Sequence, residues 1–128
     1  ERMLAAVEAT GDSAMEQRYA AFDAVTRLAA SQWLLAEGDA ARALPPLYWA
    51  EAWYTGIAVA EVATVTKGIV ALQRARVEER LGRRVDAVRY YEEFLRLYDM
   101  PSERHRHLIA EAEAALARLS GVEEAVQQ

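Results

Sequence analysis

The sequence predicts an all-α protein in which antiparallel helical hairpins stack in a short array. Three observations lead to this prediction. Apolar residues recur at spacings of three and four along most of the 128-residue chain, which is the period of a helix. Glycines and prolines are few, six and three respectively, and most of them separate the periodic segments. The turns around Gly38 and Gly82 are similar in sequence, which indicates an internal repeat.

The first long helix is expected from about Ala14 to Ala36. Ser13 and Glu16 fit a capping box at its start. Gly38 is placed to adopt the left-handed conformation that ends a helix, and Asp39 is placed to cap the next one. A single apolar stripe follows steps of three, four or seven residues: Met15, Tyr19, Phe22, Ala29 and Trp33.

The second helical segment is expected to break near Leu44. Pro45 and Pro46 lie inside it, and a proline in a helix interior removes a backbone donor and clashes with the preceding turn. We expect a helix to restart with Pro46 in its first turn and to continue over residues 47–54.

Residues 57–81 are rich in β-branched side chains, which favour strands, but their spacing predicts a helix. Two apolar stripes indicate that this helix is covered on both sides. Glu61 and Lys67 in its middle argue against a membrane span. One stripe consists of Val62, Val65, Ile69 and Leu72, and the other of Val59, Ala63, Val70 and Val77.

Two amphipathic helices complete the chain. The first follows Gly82, with Arg89 expected to pair with Glu93 on its outer face, and the second runs from about Glu103 to Leu119. Gly121 is expected to end the last helix. The sequence therefore predicts one domain of about three hairpins over residues 1–121 and a frayed tail over residues 122–128. The residues expected to face inward from the helix after Gly82 are Val85, Val88, Tyr91, Leu95 and Tyr98. Those expected to face inward from the last helix are Leu108, Ile109, Ala112, Leu116 and Leu119.

Composition argues against several classes of function. The chain has no cysteine, so it has neither disulfides nor a thiolate site. Its formal charge of −5 argues against nucleic acid as the main partner. His105 and His107, two positions apart, lie on different faces of a helix and do not make a metal site. Neither a phosphate-binding glycine loop nor a serine beside a base is present. We therefore expect a protein that is not an enzyme and uses no metal or cofactor.

The second of the two similar turns resembles a tetratricopeptide repeat. That family has a small residue in the first helix, glycine at the turn, alanine early in the second helix, then aromatic residues and a proline. The matching residues here are Ala75, Leu81, Gly82, Ala87, Tyr91, Phe94 and Pro101, with a looser match at Ser31, Leu34, Gly38 and Ala43. The two copies are 44 residues apart, whereas the family repeat has about 34. Glu78 stands where the family has an aromatic residue or leucine.

The resemblance implies a short right-handed solenoid that acts as a non-catalytic protein- or peptide-binding scaffold. Arg76 and Arg80, four residues apart, could bind an acidic peptide or carboxylate. The chain also resembles the C-terminal repeat tails of bacterial signalling proteins, which implies a cytoplasmic location unless a removed signal peptide preceded residue 1. By the family alignment, the groove would be lined by Leu28, Gln32, Leu35, Leu72, Arg76 and Arg80.

A second function stays open at this point. Solenoid ends that lack polar caps can stack head to tail into a homo-oligomer or filament. The candidate contact regions are an apolar first segment, with Met3, Leu4 and Val7, and the patch Leu47-Tyr48-Trp49.

Overall fold

A computed structural model describes residues 5, 20–51, 57–98 and 102–126, and all regular secondary structure within these residues is helical. The predicted all-α class is therefore confirmed. The expected capping box at Ser13 and Glu16 lies outside the described residues. The helices are α1 (Ala20–Ala36), α2 (Ala40–Ala43), a 3₁₀ helix (Pro45–Glu51), α3 (Ile57–Arg80), α4 (Arg84–Leu97), a 3₁₀ turn (Glu103–His105) and α5 (Arg106–Val126).

The α1–α2 turn follows the predicted chemistry, and the segment after it does not. Gly38 has a φ of +87°, and the Asp39 side chain accepts a hydrogen bond from the Arg42 backbone N–H at 3.1 Å. The helix breaks at Leu44 as expected, but a 3₁₀ helix follows instead of the α-helix we predicted. Two successive prolines lack backbone donors, and the Leu47 N–H donates to the Leu44 carbonyl three residues back at 3.0 Å, which is a 3₁₀ bond.

Helix α3 lies between two core clusters, which confirms the predicted two-sided burial. The first core cluster joins α3 to α1, α2 and the following 3₁₀ helix, and the second joins α3 to α4 and α5. The first consists of Ala24, Ala30, Leu34, Ala43, Leu44, Leu47, Val70 and Val77. The second consists of Ala71, Leu72, Ala75, Ala87, Tyr90, Tyr91, Phe94, Ala112 and Ala115.

A buried hydrogen bond fixes the position of α1 against α3. The Gln73 side-chain amide donates to the Ser31 hydroxyl at 3.2 Å, and both residues are almost completely buried. A buried polar group without a partner costs free energy, so sliding one helix past the other would be unfavourable.

Three apolar side chains expected on the buried faces of their helices are exposed. Val85 is 82% exposed, because it lies two positions before Ala87, which faces the second core cluster, and thus about 200° away around α4. Trp33 is 46% exposed, and Ala29, four positions before it on the same predicted stripe, is also exposed. The buried face of α1 instead includes Ala24, Arg27, Ser31 and Leu34, at steps of three and four residues.

Helices α4 and α5 complete the second core cluster. Gly82 has the predicted positive φ, +73°. The apolar residues predicted to face inward from α5 pack against the second cluster or belong to it. The helix does not stop at Gly121 but continues to Val126, so residues 122–126 of the expected frayed tail are helical. Glycine weakens a helix by only about 1 kcal/mol, and no proline follows Gly121 to end it.

Candidate functional site

A cleft with a volume of about 490 Å³ opens between α3 and α5, beside the C-terminal end of α1. We call it the α3–α5 cleft. Arg76, Glu79 and Arg80 enter it from one face of α3 because they are three and four residues apart. The complete lining is Leu35, Arg76, Glu79, Arg80, Tyr91, Glu111, Ala115 and Arg118.

Arg76 and Glu111 form a bidentate ion pair across the cleft. The Arg76 Nε and Nη2 atoms each donate to one Glu111 carboxylate oxygen, both at 2.6 Å. The two side chains are 29% and 39% exposed. Their mutual hydrogen bond lowers the pKa of Glu111 and raises the pKa of Arg76, while partial burial opposes both changes. The ion pair therefore favours the charged carboxylate of Glu111, which accepts both hydrogen bonds from the Arg76 guanidinium.

Glu79 is the centre of a second set of contacts in the cleft. One carboxylate oxygen accepts from Arg118 Nη2 at 2.5 Å, and the other accepts from the Tyr91 hydroxyl at 2.8 Å. Burial, followed by the hydrogen bond to Glu79, raises the pKa of Tyr91. The phenol thus stays neutral and acts as a donor that orients Glu79 toward Arg118.

Arg80 differs from the other two arginines of the cleft. It is exposed, and among the described residues it has no ion-pair partner. Among the described residues, three arginines and two glutamates line the cleft, which leaves the positive charge of Arg80 without a compensating carboxylate. This local excess is opposite in sign to the net charge of the chain, −5.

Three of the six residues predicted to line a groove meet in this cleft, and three do not. Leu35, Arg76 and Arg80 line it. Leu28 packs against the first core cluster, and Gln32 is exposed on α1 outside the cleft lining. Leu72 cannot contact a partner, since it is 1% exposed and belongs to the second core cluster.

Sequence reasoning missed the residues that hold the arginines. Glu111 lies 35 positions from Arg76, and Arg118 lies 39 positions from Glu79. No local spacing indicates such pairs, because each is formed by the packing of α5 beside α3.

A second cavity, of about 340 Å³, lies on the other side of α3 and contains a buried arginine. The Arg74 guanidinium lies over the Tyr90 ring at 4.5 Å and the Tyr48 ring at 5.2 Å, and its Nε is 3.8 Å from Glu78. Glu78 is itself buried and also pairs with Arg83 at 3.3 Å. These contacts give the buried Glu78 carboxylate cationic partners, and they indicate a structural role for Arg74.

The described residues contain no group of acidic, histidine or cysteine side chains that could hold a metal ion. His105 instead forms a hydrogen bond through Nδ1 with the Tyr98 hydroxyl. Over the same parts of the chain, no helix is both long and apolar enough to cross a membrane.

Comparisons with protein-family models, with curated proteins and with solved structures find no match to this chain.

Proposed function

We propose that this protein is a non-catalytic protein- or peptide-binding module whose helices form a short solenoid of tetratricopeptide type. The backbone of the two turns supports the repeat. Gly38 and Gly82 both have positive φ, and each donates its N–H to a carbonyl three residues back, at 3.1 and 3.0 Å. Asp39 and Arg83 each donate to a carbonyl five residues back, both at 2.9 Å. Two hairpins with the same turn would place α1, α3 and α5 as successive first helices.

The observation that carries the proposal is the position of the α3–α5 cleft. Leu35 from α1, Arg76 from α3 and Glu111 from α5 line the same depression, as expected for a groove formed by successive first helices. Arg80 adds an exposed positive charge that is not paired within the described residues. A guanidinium binds carboxylates with good geometry, so the partner we propose is an acidic peptide segment with an apolar residue to contact Leu35.

Selection from a random-peptide phage library against the whole chain tests this proposal. We expect the selected peptides to be enriched in Asp and Glu. Arg80→Glu should weaken binding of the best peptide by at least tenfold in fluorescence polarisation, because it reverses the open charge. Arg96→Glu is the matched control, since Arg96 is exposed on α4 outside the cleft, and it should change the Kd by less than twofold. Peptides without acidic residues, or equal binding by Arg80→Glu, would contradict the proposal.

Self-assembly is the second candidate function, and one observation favours it. Val25 and Trp33, eight positions apart on α1, are 60% and 46% exposed. The contact regions expected from the sequence support it less. Leu47 is fully buried, whereas Tyr48 lies against Arg74 and is 39% exposed. Met3, Leu4, Val7 and Trp49 lie outside the side chains that the structure describes.

A further inference from the structure

We propose that Glu111 is a competing ligand built into the α3–α5 cleft, which holds Arg76 until a carboxylate of the partner replaces it. This inference rests on the proposed function of the cleft. Glu111 occupies both donors of the Arg76 fork that it contacts, at 2.6 Å each. Glu111 thus takes the Nε/Nη2 edge, one of the two edges through which a guanidinium binds a carboxylate in bidentate fashion. A carboxylate of the partner that binds through this edge must displace Glu111.

The exposure of the pair allows such an exchange. Arg76 and Glu111 are 29% and 39% exposed and both line the cleft, so an incoming group reaches the pair without opening the core. Replacing one carboxylate with another restores the same two hydrogen bonds. The released Glu111 side chain would turn toward water. This movement costs little free energy, because the side chain is already partly exposed.

The same pattern at Arg118 determines which partners the cleft favours. Arg118 forms an ion pair with Glu79. Two of the three arginines of the cleft are therefore paired with a glutamate of the same chain, and among the described residues Arg80 is the one that is not. A segment with a single acidic residue gains the Arg80 contact alone. A segment with several carboxylates also gains the arginines that it takes from Glu111 and Glu79. The internal acids therefore make the cleft selective for clustered acidic residues.

The size of the effect follows from the population of the open state. A ligand that requires a minor state binds more weakly by the fraction of molecules in that state. Partly exposed ion pairs are favoured over the separated groups by a factor of about two to five. Bidentate geometry places this pair toward the upper end, so removing Glu111 should tighten binding by about three- to sixfold.

The experiment uses fluorescein-labelled hexaglutamate with blocked ends, titrated at low salt by fluorescence polarisation. Glu111→Gln should bind this peptide about three- to sixfold more tightly than the parent chain. Glu113→Gln is the matched control, because Glu113 is exposed on the same helix and outside the cleft, and it changes the net charge equally. It should alter the Kd by less than twofold. In an Arg76→Met background, Glu111→Gln should have no effect.

The outcomes separate this inference from the proposed function. If Glu111→Gln binds no more tightly than Glu113→Gln while Arg80→Glu abolishes binding, the inference is wrong and the cleft remains the binding site. A gain that persists in the Arg76→Met background also overturns it. If neither the parent nor Glu111→Gln binds hexaglutamate, both proposals fail. Glu111→Ala provides a second variant should the glutamine variant not fold, as checked by circular dichroism.

Discussion

The Arg76–Glu111 pair has a consequence for stability that can be measured without any ligand. The pKa of Glu111 is lowered in the folded chain, so its contribution to stability is complete above its unfolded pKa, about 4.3. This contribution is lost as the pH falls through the folded pKa. Both side chains are partly exposed, which limits its size to roughly 1 kcal/mol or less.

We therefore expect the free energy of unfolding of the parent chain to decrease more than that of Glu111→Gln between pH 6 and pH 3. Urea unfolding followed by circular dichroism at a series of pH values measures this difference. Glu113→Gln, which removes an exposed acid from the same helix, should follow the parent. A gap between parent and Glu111→Gln that does not change with pH would show that Glu111 is not paired in solution.

At single positions, the period of a helix predicts which side chains lie together. The alignment with the repeat family suggested Arg76 and Arg80 as groove residues, their four-residue spacing places them on one face, and both line the α3–α5 cleft. Their role in binding stays a prediction. Leu72 continues the same spacing but lies one turn deeper in the core. Leu72 is buried together with residues of α4 and α5, and spacing along α3 does not encode how those helices pack on it. For the same reason, Glu111 could not be assigned to Arg76 from the sequence.

At the scale of the helical elements, the turn at Gly82 provides the sharpest prediction. Its φ of +73° is in the left-handed region, and a Cβ added there would contact nothing within 4 Å. Any cost of a larger residue therefore comes from the backbone. Gly82→Val should lower the free energy of unfolding by about 1–3 kcal/mol, and hydrogen exchange should locate the loss in α3, α4 and α5.

At Gly121, a larger residue should raise the free energy of unfolding instead of lowering it. This glycine lies inside α5, and a Cβ there also has open space, so Gly121→Ala should stabilise the chain by about 0.5–1 kcal/mol. Thermal unfolding followed by circular dichroism measures both variants. If Gly82→Val melts with the parent, the conformation of this turn and the repeat alignment around Ala87 are wrong.

The boundaries of the elements show which signals the sequence carries. The end of α1 and the turns at Gly38 and Gly82 were predicted because local chemistry determines them: glycine accepts positive φ at little cost. The extent of α5 was not, since glycine permits a helix to end but does not require it. The 3₁₀ helix after Pro45 was also missed, because the prolines exclude α-helical bonds without specifying what replaces them.

In the molecule as a whole, α3 couples the two halves of the structure. Val70 and Val77 belong to the first core cluster, while Leu72 and Ala75 belong to the second. The two clusters thus cover different faces of α3. A change that loosens α3 would also move Arg76 and Arg80, so the proposed binding surface and the core are linked through this one helix.

The state of association distinguishes the two candidate functions. Among the side chains of α1 that the structure describes, Val25 and Trp33 are the largest exposed apolar ones, but two side chains are far less than the roughly 1,200 Å² that a stable interface buries. The net charge of −5 also repels a second copy. We therefore expect light scattering to give the monomer mass, 14.3 kDa, over a wide range of concentration at low salt.

A mass that rises with concentration, and that Trp33→Glu returns to the monomer value, would instead favour self-assembly through α1. Gln32→Glu adds the same charge at the exposed neighbouring position and should leave such an assembly intact, so that only loss of the indole accounts for the effect.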